Sequence, residues 1–146
     1  MSSRHRSREL ALQLSYQWDL DPTSLQDPKV LDRFWRNQSE ASDDTRPYFE
    51  ILVKGVASHL PEIDAQIELL LKNWKFSRVG KVDLAILRVA VYEMLFHTEA
   101  DGQKIPNAII IDEAIELGKR FGNQETPSFI NGLLDALAKK GGSGGL

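Results

Sequence analysis

An all-α fold is what the sequence predicts: one domain of about seven helices wrapped around a central apolar helix over 81–97. Three observations lead there. The stretch KVDLAILRVAVYEMLFH is polar only at Lys81, Asp83, Arg88, Glu93 and His97, and at a helical period its charges do not share a face. A helix that is apolar nearly all round has to be wrapped by others. Its length, about 25 Å, matches the width of a small domain, while its ionised side chains keep it well short of the ~18 uncharged apolar residues of a membrane span. Second, Pro and Gly clusters cut the remaining chain into helix-length segments, none with a convincing strand pattern. Third, 146 residues give a prior of one domain with a sizeable core.

The elements follow in order. Ser2 or Ser3 caps a first helix expected to reach about Leu20. Leu10, Leu12, Leu14, Tyr16, Trp18 and Leu20 alternate like a strand, but Leu, Ala, Gln, Arg and Glu favour helix and no β-branched residue lies between Arg4 and Pro22. Asp21-Pro22-Thr23-Ser24 breaks it. A short second helix from about Pro28 to Asn37 buries Val30, Leu31, Phe34 and Trp35, and a polar loop over 38–44 follows. Thr45 caps a third helix with Pro47 in its first turn and Tyr48, Ile51, Leu52 and Val56 inward. Pro61 ends or kinks it, and a fourth helix runs from there to about Asn73 with Ile63, Ile67, Leu70 and Leu71 inward. Trp74 to Gly80 turns into the central helix, with Ser77 as a candidate cap. Asp101-Gly102 marks a loop, and Pro106 starts a sixth helix that stops at Phe121-Gly122, with Lys119 and Arg120 near its negative pole. Thr126-Pro127 reads as an N-cap followed by Pro at the first helical position, opening a seventh helix to about Lys140. Residues 1–140 form the domain and 141–146 a flexible Gly-rich tail.

Composition excludes several classes. With 18 basic and 21 acidic residues the net charge is −3, so any nucleic-acid contact must come from a local patch. No cysteine is present, which removes disulfides and thiolate chemistry and fits a reducing cytoplasm. No apolar run of signal-peptide length stands behind Arg4, Arg6 and Arg8.

No enzyme motif assembles: there is no phosphate-cradling Gly-rich loop, no nucleophile elbow and no HExxH. Glu93 and His97 stand four apart, but a second copy of the pair, as a di-metal bundle requires, is missing, so a side-chain hydrogen bond at the helix end is the expectation and no metal or other cofactor is assigned. Asp112, Glu113 and Glu116 suit the first half of a helix through its dipole. What remains is Arg4-His5-Arg6-Ser7-Arg8, a basic run on an otherwise acidic chain. Guanidinium forks in such a run suit phosphate oxygens, and Tyr16 nearby offers a ring on which an unpaired base stacks.

Ordered blocks carry a family resemblance. The first holds Asn73-Trp74, Arg78, Asp83, Ile86-Leu87-Arg88, Ala90 and Tyr92-Glu93. The second holds Pro106, Ile109, Ile111, Asp112 through Leu117, Lys119 and Phe121-Gly122, and the third runs from Phe129 to Asp135. With Arg6, Arg8, Ala11, Leu14, Tyr16 and Trp18 in the first helix, the chain strongly resembles the NusB family of bacterial transcription antitermination factors up to the Gly-rich tail. The resemblance implies two small helical bundles packed together and no catalytic activity. It implies binding of the boxA element of nascent ribosomal RNA as a heterodimer with NusE, a small-subunit ribosomal protein, in a complex with NusA, NusG and RNA polymerase. It implies RNA contact by Arg4, His5, Arg6 and Arg8, proximity of Glu125 and Phe129 to RNA, and a place for Tyr16 and Asp83 at NusE or at its junction with RNA. It leaves open a homodimer that covers the RNA surface.

Departures from the family pattern are the Ser7 and His5 within the basic run, Gly118 in mid-helix, and Asp112. From the residues alone, Asp83 needs either a docked partner or an internal one such as Arg78 or Arg88. Two other readings stand beside antitermination: a pure protein adaptor, and the RNA-guiding module of an rRNA methyltransferase.

Overall fold

The computed structural model describes residues 3–18, 27–38, 44–72 and 75–144. Among these lie seven α-helices: α1 (Ser3–Trp18), α2 (Pro28–Arg36), α3 (Arg46–Ser58), α4 (Leu60–Leu70), α5 (Lys81–Leu95), α6 (Asn107–Phe121) and α7 (Thr126–Gly144), with a 3-10 turn at Phe76–Arg78 before α5. The expectations for Asp21 to Ser24, for most of the 38–44 loop, and for Leu20, Asn73 and Trp74 lie outside the described residues.

The all-α prediction holds, and α5 is its centre. It packs against α1, α3, α4, α6 and α7. Every residue from Leu84 to Met94 is buried, as an apolar surface on all sides requires. Helices α1 and α3 pack on each other and on α5, while α4, α6 and α7 pack on α5 from its other flank, so two small bundles share one helix. Helix α5 stops at Leu95, short of His97. The strand-like alternation in α1 has a simple origin: Leu10, Leu12 and Leu14 are all buried because α1 is covered by α3 on one side and α5 on another.

Several local expectations change. Ile51 is 44% exposed rather than inward. The Thr45 side chain does not cap α3; Thr45 is buried, and its carbonyl accepts hydrogen bonds from the Ser7 hydroxyl (2.7 Å) and the Phe49 N–H (3.2 Å). Gly80, not Ser77, is the N-cap of α5. Pro61 sits in the first turn of α4, where its missing N–H costs nothing, so α3 ends at Ser58 and the chain bends at His59. Helix α7 continues to Gly144, past the expected start of a tail at 141.

Gly118 and Gly122 are set by close packing and Gly102 by a turn. A Cβ on Gly118 would lie 3.1 Å from the Thr126 Cγ2, so the mid-helix glycine lets α6 approach the start of α7. A Cβ on Gly122 would lie 2.5 Å from the Thr126 Cβ; with φ at −92°, Gly122 is demanded by that contact and not by a left-handed cap. Gly102 has φ +85° in the turn between α5 and α6, a conformation other residues adopt at a cost.

Candidate nucleic-acid interface

The basic run of α1 does not present its cations alike. Arg8 is 4% exposed, and its Nε and Nη2 donate to the Glu93 carboxylate of α5 at 3.0 and 2.9 Å. The Tyr48 hydroxyl of α3 donates to the same carboxylate at 2.6 Å. Glu93 is thereby satisfied by two elements, the condition under which a buried charge is tolerated. Burial, and then the facing Glu93 charge, push the Tyr48 phenol up. This arrangement replaces the expected Glu93–His97 contact; His97 instead meets Glu99 at 3.1 Å. The first of the run, Arg4, pairs with Glu99 through both nitrogens of its fork and lies over the Tyr48 ring, 4.1 Å from its centroid. Its hydrogen bonds, seconded by His97, hold the Glu99 carboxyl at about 2. His5 Nδ1 meets the Glu113 carboxylate of α6 at 2.6 Å.

Arg6 differs. Its side chain is 28% exposed, less than the 41% of Arg4, but its carboxylate contact is looser: Glu9, one turn on, at 3.7 Å. Glu9 is 1% exposed and also holds Arg120 of α6. Arg120 lies over the Phe121 ring, 5.1 Å from its centroid. A relay therefore runs from the leading helix to Phe121.

Phe121 is the shared wall of two adjoining depressions. One, of about 300 Å³, is lined by Leu12, Gln13, Tyr16, Gln17, Val82 and Phe121. The other, of about 590 Å³, is bounded by Arg78 through Asp83 on one side and by Phe121, Gly122, Asn123, Glu125 and Phe129 on the other. Tyr16, Asp83, Glu125 and Phe129, distant in sequence, thus meet on one face. Tyr16 is 43% exposed there, its ring available for stacking.

The far wall is built by a tight turn. The Asn123 side chain accepts hydrogen bonds from the N–H groups of Glu125 (2.9 Å) and Thr126 (3.1 Å), which brings the chain round into α7. Thr126 does not cap α7 in the expected way. Its hydroxyl donates to the Asp83 Oδ1 at 2.8 Å, joining the start of α7 to the start of α5. That contact resolves the partner of Asp83: it is a hydroxyl and not an arginine, since Arg88 pairs with Asp64 of α4 at 2.9 Å through two bonds. Asp83 stays partly exposed at the cleft rim. The acidic residues of α6 divide their work: Glu113 faces α1, Glu116 faces Lys119, and Asp112 is exposed.

Cleft residues that sequence reasoning passes over are Phe121, Val82 and Asn123, and Arg120 stands beside them on the Phe121 ring. Arg120 and Phe121 had been read only as helix-stop signals, and Val82 falls among other apolar residues of α5. Among the described residues no group of three His, Asp or Glu is arranged to hold a metal ion. Among the described residues no helix is long and apolar enough to cross a membrane.

A pair of helical bundles around a shared buried helix, with a cleft walled by Phe121 and Phe129 beside a basic leading helix, defines a helical protein with one candidate binding face. A match to the model of the NusB family spans residues 5–139, and the chain belongs to that family. A relative from Trichlorobacter lovleyi, described as transcription antitermination protein NusB, is 42% identical over 137 residues, covering 94% of this chain and 91% of its own. One of the same description from Geobacter sulfurreducens is 39% identical over 138 residues, covering 94% and 95%. Among solved structures, Thermotoga maritima NusB superposes with a TM-score of 0.76 at 30% identity, over 93% of this chain and 90% of that one. A complex of antitermination factors NusB and NusE with double-stranded RNA matches with a TM-score of 0.78 at 25% identity, over 96% and 98%. The family is one of transcription antitermination factors, not of enzymes.

Proposed function

We propose that this chain is a cytoplasmic transcription antitermination factor that holds single-stranded boxA RNA of nascent ribosomal transcripts jointly with NusE. The observation that carries the reading is the convergence of Tyr16, Asp83, Glu125 and Phe129 on two adjoining depressions, joined to Arg6 of the basic run through Glu9, Arg120 and Phe121. The exposed Tyr16 ring and the partly buried Phe129 ring supply sequence-tolerant stacking and guanidiniums supply phosphate contacts, the combination by which unpaired RNA is held. The solved NusB–NusE–RNA complex that this chain resembles supports the pairing of RNA with NusE.

The cleft is charge-balanced at its rim, with Arg78 and Lys81 against Asp83 and Glu125. RNA alone therefore gains little electrostatic attraction there, and a basic ribosomal protein seated beside Asp83 supplies the missing positive field. From this position the complex joins NusA, NusG and RNA polymerase. In the free state a second copy of the chain competes for the same face. Binding of labelled boxA RNA, with and without NusE, tests the reading. At least tenfold preference for boxA over a scrambled RNA in the presence of NusE is the expected result, about 1.4 kcal/mol. Equal affinity for both RNAs removes the assignment.

A further inference from the structure

We infer that Arg120 is a phosphate-binding residue of this RNA interface and that buried Glu9 is its positioning residue. The inference rests on the RNA reading above and goes beyond it, since Arg120 lies outside both the basic run and the cleft lining. Within the run, Arg8 is spent on Glu93, Arg4 on Glu99 and His5 on Glu113. Arg4 is 41% exposed at its side chain, but both nitrogens of its fork lie on Glu99, which leaves Arg6 as the least committed guanidinium of the run, and one guanidinium is a small attraction for a polyanion.

Arg120 supplies the second. It is 56% exposed at the side chain, yet it is not loose. The Glu9 carboxylate, 1% exposed, fixes one edge of its fork, and the Phe121 ring supports its plane from below. Glu9 has Arg6 on its other oxygen. Two guanidiniums on one carboxylate leave a net positive charge at the surface, and a fork held at one edge by a carboxylate still offers its remaining N–H groups to a phosphate.

Location completes the case. Arg120 holds Glu9 of α1 and lies over the ring of Phe121, which walls both depressions, so it links the leading helix to the Tyr16–Phe129 face. A single strand whose bases stack along that face carries its backbone past Arg120 to reach Arg6. A salt bridge with no such role would serve equally well with no phosphate present, and the two cases separate by experiment.

The test measures affinity of the full chain, with NusE, for boxA RNA across a salt series. For Arg120→Gln, which keeps a donor for Glu9, binding weakens roughly three- to tenfold at physiological salt, and the slope of log affinity against log salt shrinks by about 0.7, the value for one phosphate contact on a single strand. Arg120→Lys restores the slope, because it restores the charge. If Arg120→Gln is poorly folded, Glu9→Gln with Arg120→Gln removes the buried charge as well; because it also frees Arg6, its slope is read against that of Glu9→Gln and is smaller by about 0.7. An unchanged slope in the folded Arg120→Gln, or in the double variant against Glu9→Gln, overturns the inference and leaves the RNA reading standing. No RNA binding by the unaltered chain overturns both.

Discussion

Glu93 shows how the same residue types serve structure or function according to what surrounds them. It is a carboxylate in the middle of the core, held by the Arg8 fork and the Tyr48 hydroxyl. Removing one member leaves an uncompensated buried charge, so Arg8→Ala is expected to lower unfolding stability by about 3–5 kcal/mol in urea. A loss below about 1 kcal/mol would mean that Arg8 sits at the surface. Gly55 is a second instance. A Cβ there would lie 2.2 Å from two atoms of the buried Tyr92 ring. The helix-propensity gain of Gly55→Ala is about 1 kcal/mol, and overpacking of ~1–3 kcal/mol outweighs it. The variant should melt below the wild type.

Glu99 gives a pH prediction. Its folded carboxyl is held at about 2, below its ordinary value, first by Arg4 and then by His97. A depressed carboxylate contributes stability that is complete above its unfolded value and is lost as pH falls toward its folded one. The loss belongs to the window from roughly pH 5 down to 2. Glu99→Gln should flatten the acid limb of the stability curve in that window and leave its shape above pH 6 unaltered. An acid limb as steep as in the wild type would show that the Arg4 pair contributes nothing in solution.

At the scale of elements, the helices were legible and their charge partners were not. Pro28, Pro61, Pro106 and Pro127 each sit at a helix start, and their effect is local, so a reading of the chain in order finds them. The all-round apolarity of α5 announced its burial without any knowledge of its neighbours. The inward face of α3 was partly misassigned because Ile51 is apolar but lies beyond the neighbours that cover Leu52 and Val56. The pairs Arg8–Glu93, Arg4–Glu99 and His5–Glu113 bring α1 to α5, to the turn after it and to α6. Such pairing is set by the fold and leaves no local pattern. The basic run therefore read as a uniform phosphate patch, and the structure divides it. Helix α1 has an inner face that locks the bundles and an outer face with Arg6 and Tyr16. The expectation follows that Arg6→Gln weakens RNA binding with the melting temperature held, whereas Arg8→Gln lowers the melting temperature first. If both variants lose RNA affinity equally at full stability, the division is wrong.

For the whole molecule, the fold and the family were readable in the blocks around α5, α6 and α7, because they encode packing against one shared helix. Of the candidate site, Tyr16, Asp83, Glu125 and Phe129 are named from the sequence, and they line the two adjoining depressions. What joins them was not readable, since Thr126 ties the start of α7 to Asp83 and Phe121 closes the gap to Tyr16 only after the bundles dock. The account makes the two bundles a rigid support, with α5 as the common core and the α1–α5–α7 edge as the binding face.

The most direct test is the footprint of bound RNA on the chain. Amide chemical shifts of the labelled protein, recorded with NusE and boxA RNA against NusE alone, should change on adding RNA at Arg6, Tyr16, Arg120, Phe121 and Phe129. They should stay fixed around Ile51 and Lys54 on α3. Shifts concentrated on α3, with the Tyr16–Phe129 face undisturbed, would contradict the account.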